Sequence, residues 1–232
     1  MNDLFWDFNK ISKVSELLEM QVIDNNEEML YLPDVIGDKV IFRTPCYLKN
    51  ISNHNENNIF FYARESIAKK IKNIANELKT INSDAKLVIF NCYRPLKIQR
   101  ENFKITLEDI CKKYPNIAHN DAIEKAHIKI AMPEVAGHTT GGAVDLSIEI
   151  NELPLDMGME IGDFSQEEKL ATASTHISKQ QFKNRIMLRK LMHEQEFAPF
   201  NGEWWHFSYG DREWATLYKK SNAIYDNIDL SF

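Results

Sequence analysis

The residues of this chain that can do chemistry are concentrated at three places. The stretch Ala136-Gly137-His138-Thr139-Thr140-Gly141-Gly142-Ala143-Val144-Asp145 puts an imidazole and a carboxylate at the two ends of a glycine-containing turn. The stretch Gly202-Glu203-Trp204-Trp205-His206-Phe207-Ser208-Tyr209 offers a second carboxylate and a second imidazole among aromatic rings. The piece Asn91-Cys92-Tyr93-Arg94-Pro95 ends an apolar run with a guanidinium. Neutral imidazole and carboxylate are good zinc ligands, and a catalytic zinc site takes three protein ligands and keeps one position for water. His138 and Asp145 supply two donors, so a third must come from elsewhere, and the Glu203 to His206 stretch offers it. A fork of donors such as Arg94 beside a metal would stabilise an oxyanion or hold a carboxylate. Each stretch alone has a plainer description: a hairpin turn with a surface histidine, an aromatic core strand, an exposed arginine. Their combination is what favours the metal reading.

These side chains need elements to position them. The alternation over 144–150 predicts a strand with Ala143, Asp145 and Ser147 on one face and Val144, Leu146 and Ile148 on the other. Gly141 and Gly142 let the preceding turn bend His138 back towards Asp145. The segment 203–209 reads as an aromatic strand. Residues three apart on a strand face opposite sides, so Glu203 and His206 meet only if Glu203 sits at the strand mouth or a bulge re-aims one of them. The continuous apolar run Leu87-Val88-Ile89-Phe90 predicts a central strand over 86–93, with Arg94 leaving it into a loop.

Around these lie helical patterns at 61–80, where Ile67, Ile71, Ile74, Ala75 and Leu78 recur at helical spacing, and at 96–114, 121–130 and 180–196. The last of these is expected to turn Phe182, Ile186, Leu188, Leu191 and Met192 inward. Shorter helices are expected at 13–20 and 211–218, and at 165–172 with Ser165 and Glu168 as a capping box. Short β-like pieces fall at 29–32 and 39–42, and 50–58 is an Asn-rich loop. With no repeat or linker, one α+β domain is the simplest organisation for 232 residues.

The composition, 44% hydrophobic and 27% charged, is that of a globular protein, and a net charge of -6 argues against a partner held by nucleic-acid phosphates. Cys46, Cys92 and Cys111 are odd in number and widely spaced, which suggests reduced, partly buried thiols rather than disulfides or a cysteine metal site. The start, 1–10, carries charges and no apolar core of a secretory signal, and no run reaches membrane-spanning length. A cytoplasmic location is the expectation if Met1 is the native start. His54, His119, His127, His176 and His193 match no motif and read as surface or structural residues.

Taken together, Tyr93-Arg94-Pro95, the His138 to Asp145 segment and Glu203-Trp204-Trp205-His206 resemble the D-alanyl-D-alanine dipeptidase family, zinc peptidases of the vancomycin-resistance type related to the D-Ala-D-Ala carboxypeptidases and the hedgehog fold. The likeness runs from about 40 to 214, in the same order and with similar gaps. It implies a central antiparallel sheet flanked by helices, in a single zinc peptidase domain spanning 1–232 with its core at about 40–218. It implies one zinc per chain on His138, Asp145 and His206, with Glu203 as catalytic base and Arg94 steadying the transition state. It implies substrate contacts at Tyr93 and at Asp163, where Met157-Gly158 and Asp163-Phe164 resemble the family's pieces with one residue more between them, leaving Asp156 and Glu160 as alternatives for the substrate amine. Ala136 departs from the family's serine. The implied substrate is the small dipeptide D-Ala-D-Ala. The competing expectations are a D,D- or L,D-carboxypeptidase trimming peptidoglycan stem peptides and a zinc-stabilised binding domain without turnover, against which Glu203 counts.

Overall fold

The apolar run at 87–90 does become the centre of a sheet, in a computed structural model that describes residues 3–44 and 57–230. The chain begins with helix α1 (Val14–Glu19), strand β1 (Met29–Tyr31), helix α2 (Leu32–Ile36) and strands β2 (Val40–Phe42) and β3 (Tyr62–Arg64). Helix α3 (Glu65–Ile81), strand β4 (Ala85–Asn91), helix α4 (Leu96–Lys113) and helix α5 (His119–His127) follow. Strands β5 (Ala143–Ile150) and β6 (Leu153–Pro154), helix α6 (Lys179–Glu194), strands β7 (Ala198–Pro199) and β8 (His206–Ser208) and helix α7 (Arg212–Leu217) complete it. Cys46, His54 and the loop expected at 50–58 lie outside the described residues, except that a 3-10 turn, Asn57–Phe61, begins within that loop.

The main sheet runs β2-β4-β5-β8-β7, with β6 also on β5, and β1 pairs with β3 in a small separate sheet. Every pair in the main sheet is antiparallel except the edge pair β2–β4, which is parallel. The period-two alternation of β5 sorts its faces as expected. Val144, Leu146 and Ile148 enter the main core, while Asp145, Ser147 and Glu149 line the other side and are buried there as well. A buried carboxylate is costly unless paired, so that face must provide partners.

Helix α3 covers the core with the predicted stripe, burying Ile67, Ile71, Ile74, Ala75 and Leu78. Burying each isoleucine contributes about 1.5–3 kcal/mol relative to leaving it exposed. The helix starts at Glu65 and not at 61, because Tyr62, Ala63 and Arg64 pair with β1. Arg64 is buried beneath the glycine turn, where its Nε donates to the carbonyl of Thr140 at 2.9 Å and its backbone N–H to Gly141 at 3.0 Å. In α6 the buried face carries Arg185 and Arg189 beside Leu188, Leu191 and Met192, whereas Phe182 and Ile186 are only half-buried. The arginines are inside because they hold loops. Arg185 donates to the carbonyls of Met157 (2.8 Å) and Ala171 (2.6 Å), and Arg189 to Asn201 (2.8 Å) and to the carbonyl of Phe5.

Packing also extends past the expected core of 40–218, since Phe5, Leu17, Ala223 and Tyr225 are buried. Helix α1 is clamped at both ends. The backbone N–H of Val14 meets the Glu124 carboxylate at 3.1 Å, and Arg212 donates to the carbonyls of Leu17 (3.0 Å), Leu18 (3.3 Å) and Met20. An acid at a helix start and a base on its last carbonyls both oppose the helix dipole. Cys92 is buried as expected, but Cys111 is exposed on α4. Among the described residues no helix is long and apolar enough to cross a membrane.

Candidate active site

The glycine turn folds as a 3-10 turn, Gly137–Thr140, that ends at Gly141 with φ +73°, a conformation other residues resist. The carbonyl of His138 accepts the backbone N–H of Arg94 at 3.0 Å, which ties this turn to the end of β4. Asp145 on β5 stands directly opposite His206 on β8 and opposite Asn91 on β4, where the register shifts between Ile89 and Asn91. The sheet therefore brings the two predicted stretches and the end of the central strand to one point.

At that point His138 Nε2 lies 3.2 Å from Asp145 Oδ2, and His206 Nδ1 lies 3.0 Å from Asp145 Oδ1. One ligand atom from each of the three residues falls within 4.8 Å of the others. His138 Nδ1 is 2.7 Å from the carbonyl of Cys92. A carbonyl only accepts, so Nδ1 carries the proton and Nε2 turns a lone pair towards the Asp145 carboxylate. Two lone pairs at that separation repel, and the Asn91 amide, 3.3 Å from Nε2 and 3.1 Å from Oδ2, relieves this in part; a cation between them or a second proton on His138 would relieve it fully. Burial lowers the pKa of His138 despite the nearby Asp145, which opposes the second proton. Two donors on one zinc at tetrahedral angles stand roughly 3.3 Å apart, close to the two His–Asp separations, while the full set of three donors lies within 4.8 Å. The donor set thus fits a zinc-sized cation.

Outer partners fix the ligands. Asn91 Nδ2 donates to Asp145 Oδ2 at 3.1 Å, and the Cys92 carbonyl orients His138. Burial raises the pKa of Asp145, but His138 and then His206 more than offset this and hold it well below the usual carboxylate range. Burial lowers the pKa of His206, and the Asp145 hydrogen bond and charge outweigh it, so the net shift is upward.

Glu203 is not on a strand. Residues 201–202 and 204–205 form turns on either side of Glu203, with the backbone N–H of His206 bonded to the carbonyl of Glu203 at 3.3 Å, and β8 begins only at His206. Glu203 thus sits at the strand mouth, and one tight turn aims it and His206 at the same cavity. Arg189 holds Asn201 below that turn, and Arg185 lies 5.4 Å over the Trp204 ring. Burial, and then the charge of Asp145, push the pKa of Glu203 up to about 7, with His206, Arg94 and a Trp205 hydrogen bond pulling the other way. A carboxyl poised there is a competent general base near neutral pH.

Arg94 is buried at the cavity edge. Gln99 anchors it at 3.0 Å and is itself held by the carbonyl of Ala131 at 2.6 Å, while Arg94 Nε has no hydrogen-bond partner among the described residues. The cavity they share, of about 110 Å³, has room for on the order of ten water-sized groups. Trp205 and Phe164 form part of its wall, and Ala136 puts a methyl group there where the resemblance expects a hydroxyl.

Two predicted contacts are not brought into this cavity. Tyr93 is buried with its hydroxyl tied to the C-terminal segment, donating to the carbonyl of Ile228 at 2.8 Å and accepting from Leu230 at 3.2 Å. Asp163 is the N-cap of the 3-10 turn Phe164–Lys169, where its Oδ1 accepts from the Ser165 N–H at 2.9 Å, so Asp163 and not Ser165 caps this segment. Neither Asp156 nor Glu160 lines the cavity, and Asp156 is engaged by Gln181 at 3.0 Å. Conversely, Leu17, His127, Asp211 and Glu213 line it without having been singled out as site residues. Asp211 and Glu213 read as an ordinary helix start, and Leu17 belongs to a segment outside the family likeness.

His127 gives a pH prediction. Its Nδ1 accepts the Met132 N–H at 3.1 Å, and burial, opposed only in part by Glu124, lowers its pKa from 6.5 to about 4. Between those values the unfolded chain binds a proton at this site and the folded chain does not. The contribution to stability is therefore complete above pH 6.5 and is lost as pH falls towards 4. It should amount to about 2–3 kcal/mol over that window. Urea midpoints at neutral pH and near pH 5 should show a smaller acid loss in His127→Asn than in the unsubstituted protein. Equal losses in both would remove His127 from the account.

Comparison with known proteins bears on this site. The profile of the D-Ala-D-Ala dipeptidase family of peptidases matches residues 48–224. A D-alanyl-D-alanine dipeptidase of Synechocystis is 24% identical over 191 residues, covering 72% of this chain and 77% of the relative. One from Enterococcus faecium is 30% identical over 131 residues, covering 55% and 59%. Among solved structures, the LD-carboxypeptidase LdcB is 16% identical with a TM-score of 0.47, covering 94% of this chain and 90% of that one. A mutant of the vancomycin-resistance D,D-pentapeptidase VanY in complex with Zn(II) is 14% identical with a TM-score of 0.39, covering 70% and 81%. The profile spans well over half of the sequence and takes in every residue that converges on the cavity from β4, the glycine turn, β5 and β8, so this chain belongs to the D-Ala-D-Ala dipeptidase family of metallopeptidases.

Proposed function

We propose that this chain is a single-domain zinc dipeptidase that hydrolyses free D-Ala-D-Ala, with His138, Asp145 and His206 holding one metal ion and Glu203 as the general base. The observation that carries this reading is the convergence of three metal donors, a buried carboxyl poised near neutrality and a guanidinium with an unpaired donor on one small cavity. Zinc, when bound, acidifies a water and polarises the scissile carbonyl.

The chain's own residues do the rest. Glu203 takes the proton from the attacking water and passes it to the leaving amine. Its burial raises its proton affinity, which suits the first half of that task. Arg94, held still by Gln99, offers its remaining N–H groups to the oxyanion that develops as the carbonyl becomes tetrahedral. The buried Trp205 gives that region an apolar wall, which strengthens both effects. A cavity of this size accommodates a substrate as small as a dipeptide.

The test compares free D-Ala-D-Ala, its N-acetylated form and a tripeptide at equal enzyme, with zinc content measured on the same preparation. The reading requires about one zinc per chain and strong preference for the free dipeptide. Equal cleavage of the blocked or longer substrates would transfer the assignment to a carboxypeptidase. Arg94→Ala should lower the catalytic rate by about a hundredfold or more while the metal content stays unchanged and the protein remains folded. An unchanged rate would return Arg94 to a purely structural role beside Gln99.

A further inference from the structure

Four carboxylates line the cavity: Asp145, Glu203, Asp211 and Glu213. Asp145 is engaged by both imidazoles and by Asn91. Glu203 is the base in the reading above. Asp211 accepts from the hydroxyl of Ser208 and from the N–H of Trp214 through Oδ1, each at 2.9 Å, and caps α7. Glu213 differs from Asp211, which is buried and whose Oδ2 likewise has no hydrogen-bond partner among the described residues, in being only half-buried. Its Oε1 accepts from the Ser12 hydroxyl at 2.8 Å, and its Oε2 has no hydrogen-bond partner among the described residues. It stands in the first turn of α7, seven residues beyond His206, and its side chain is only half-buried because it faces the cavity.

We propose that Glu213, oriented by Ser12, binds the free ammonium of the dipeptide, and so sets the preference for substrates with an unblocked amine. The proposal rests on the dipeptidase reading and adds the residue that recognises one end of the substrate. A free dipeptide brings a cation into a cavity whose lining cations are Arg94, assigned above to the oxyanion, and Lys129, already paired with Glu167 at 2.5 Å. A carboxylate with an open acceptor is the complement such an ammonium needs, and an ammonium buried without one is rejected. Burial pushes the pKa of Glu213 up to about 7, and the Ser12 hydroxyl pulls against that shift and holds the carboxyl in one rotamer. Ser12 comes from the N-terminal segment, and that segment is anchored at α1 by Arg212, the residue just before Glu213. Leu17, also from α1, gives this end of the cavity an apolar wall against which a small side chain can rest. The amine subsite is therefore built jointly by α7 and by a segment outside the family-matched range of 48–224.

The experiment measures kcat and KM for free and N-acetylated D-Ala-D-Ala in the unsubstituted protein, Glu213→Gln and Ser12→Ala. Zinc content and melting temperature are recorded for each. In Glu213→Gln, kcat/KM for the free dipeptide should fall roughly ten- to a hundredfold, mainly through KM, the size of one charge-assisted hydrogen bond. Cleavage of the acetylated form should be unchanged, so the ratio between the two substrates collapses. Ser12→Ala should shift that ratio in the same direction by a smaller factor, and it keeps the question open to measurement if Glu213→Gln folds poorly. Should the unsubstituted protein prefer the free amine and both variants keep that preference, Glu213 is not the subsite, while the dipeptidase reading stands. Should the unsubstituted protein cut both substrates equally, the amine subsite and the dipeptidase reading are both overturned.

Discussion

Glu203→Gln is expected to lower turnover of D-Ala-D-Ala by roughly 10²–10⁴-fold, the range that a positioned general base contributes, and to leave the metal content unchanged. Glutamine keeps the shape of the side chain at the mouth of β8 but cannot accept the proton. The metal survives because the three donors belong to His138, Asp145 and His206, all on other backbone positions. The acid limb of the pH profile should change with it. A base works only unprotonated, so kcat/KM rises with pH as Glu203 loses its proton. Burial and Asp145 set that pKa at about 7 in the absence of a cation, and a nearby dication moves the limb lower. The limb is absent from the residual rate of Glu203→Gln. Near-native turnover would mean that another group is the base, and loss of metal would mean that Glu203 is itself a ligand.

The second large effect is on metal content. The double substitution His138→Ala, His206→Ala leaves Asp145 as the one remaining donor, and bound zinc should drop from about one per chain to near zero by elemental analysis. Activity should fall with it. The same change leaves Asp145 buried opposite Asn91 without its imidazoles, so its pKa rises from far below the usual range and part of the fold's stability is lost as well. Thermal unfolding with and without added zinc separates the two contributions. The unsubstituted protein should be stabilised by the metal, and the double variant should not respond to it. Zinc retained in full by the double variant would place the site elsewhere.

What was legible in the sequence was periodic or local. Strand β5 announced its two faces because alternation leaves no other way to bury Val144, Leu146 and Ile148 together. Helix α3 announced its stripe for the same kind of reason. The meeting of Glu203 and His206 was legible as a geometric demand, and a turn after Gly202 satisfies it. Other features were hidden because their causes are distant in sequence. Tyr62–Arg64 looks like the first turn of α3 until β1 arrives to pair with it. Arg185 and Arg189 look like the solvent face of an amphipathic helix, yet they are inside because carbonyls from three loops end there. Asp163 and Ser165 are both plausible caps, and the bond that decides between them runs between their own neighbouring atoms. Asn91 reaches Asp145 through a register shift that residue types alone do not reveal. Glu213 and Leu17 gained their place on the cavity wall only when the two ends of the chain met.

That meeting has a kinetic consequence. Ser12 and Glu213 are 201 positions apart, Leu17 and Arg212 are 195 apart, and Phe5 and Arg189 are 184 apart. Contacts of such sequence separation form late, because the loop they close must first surrender its entropy. During synthesis the sheet centre, β4 and β5, can pair as soon as both have emerged, but the wall made by α1 has nothing to dock on until α7 exists. The cavity of a growing chain therefore stays open on one side until α7 has been made and docks with α1.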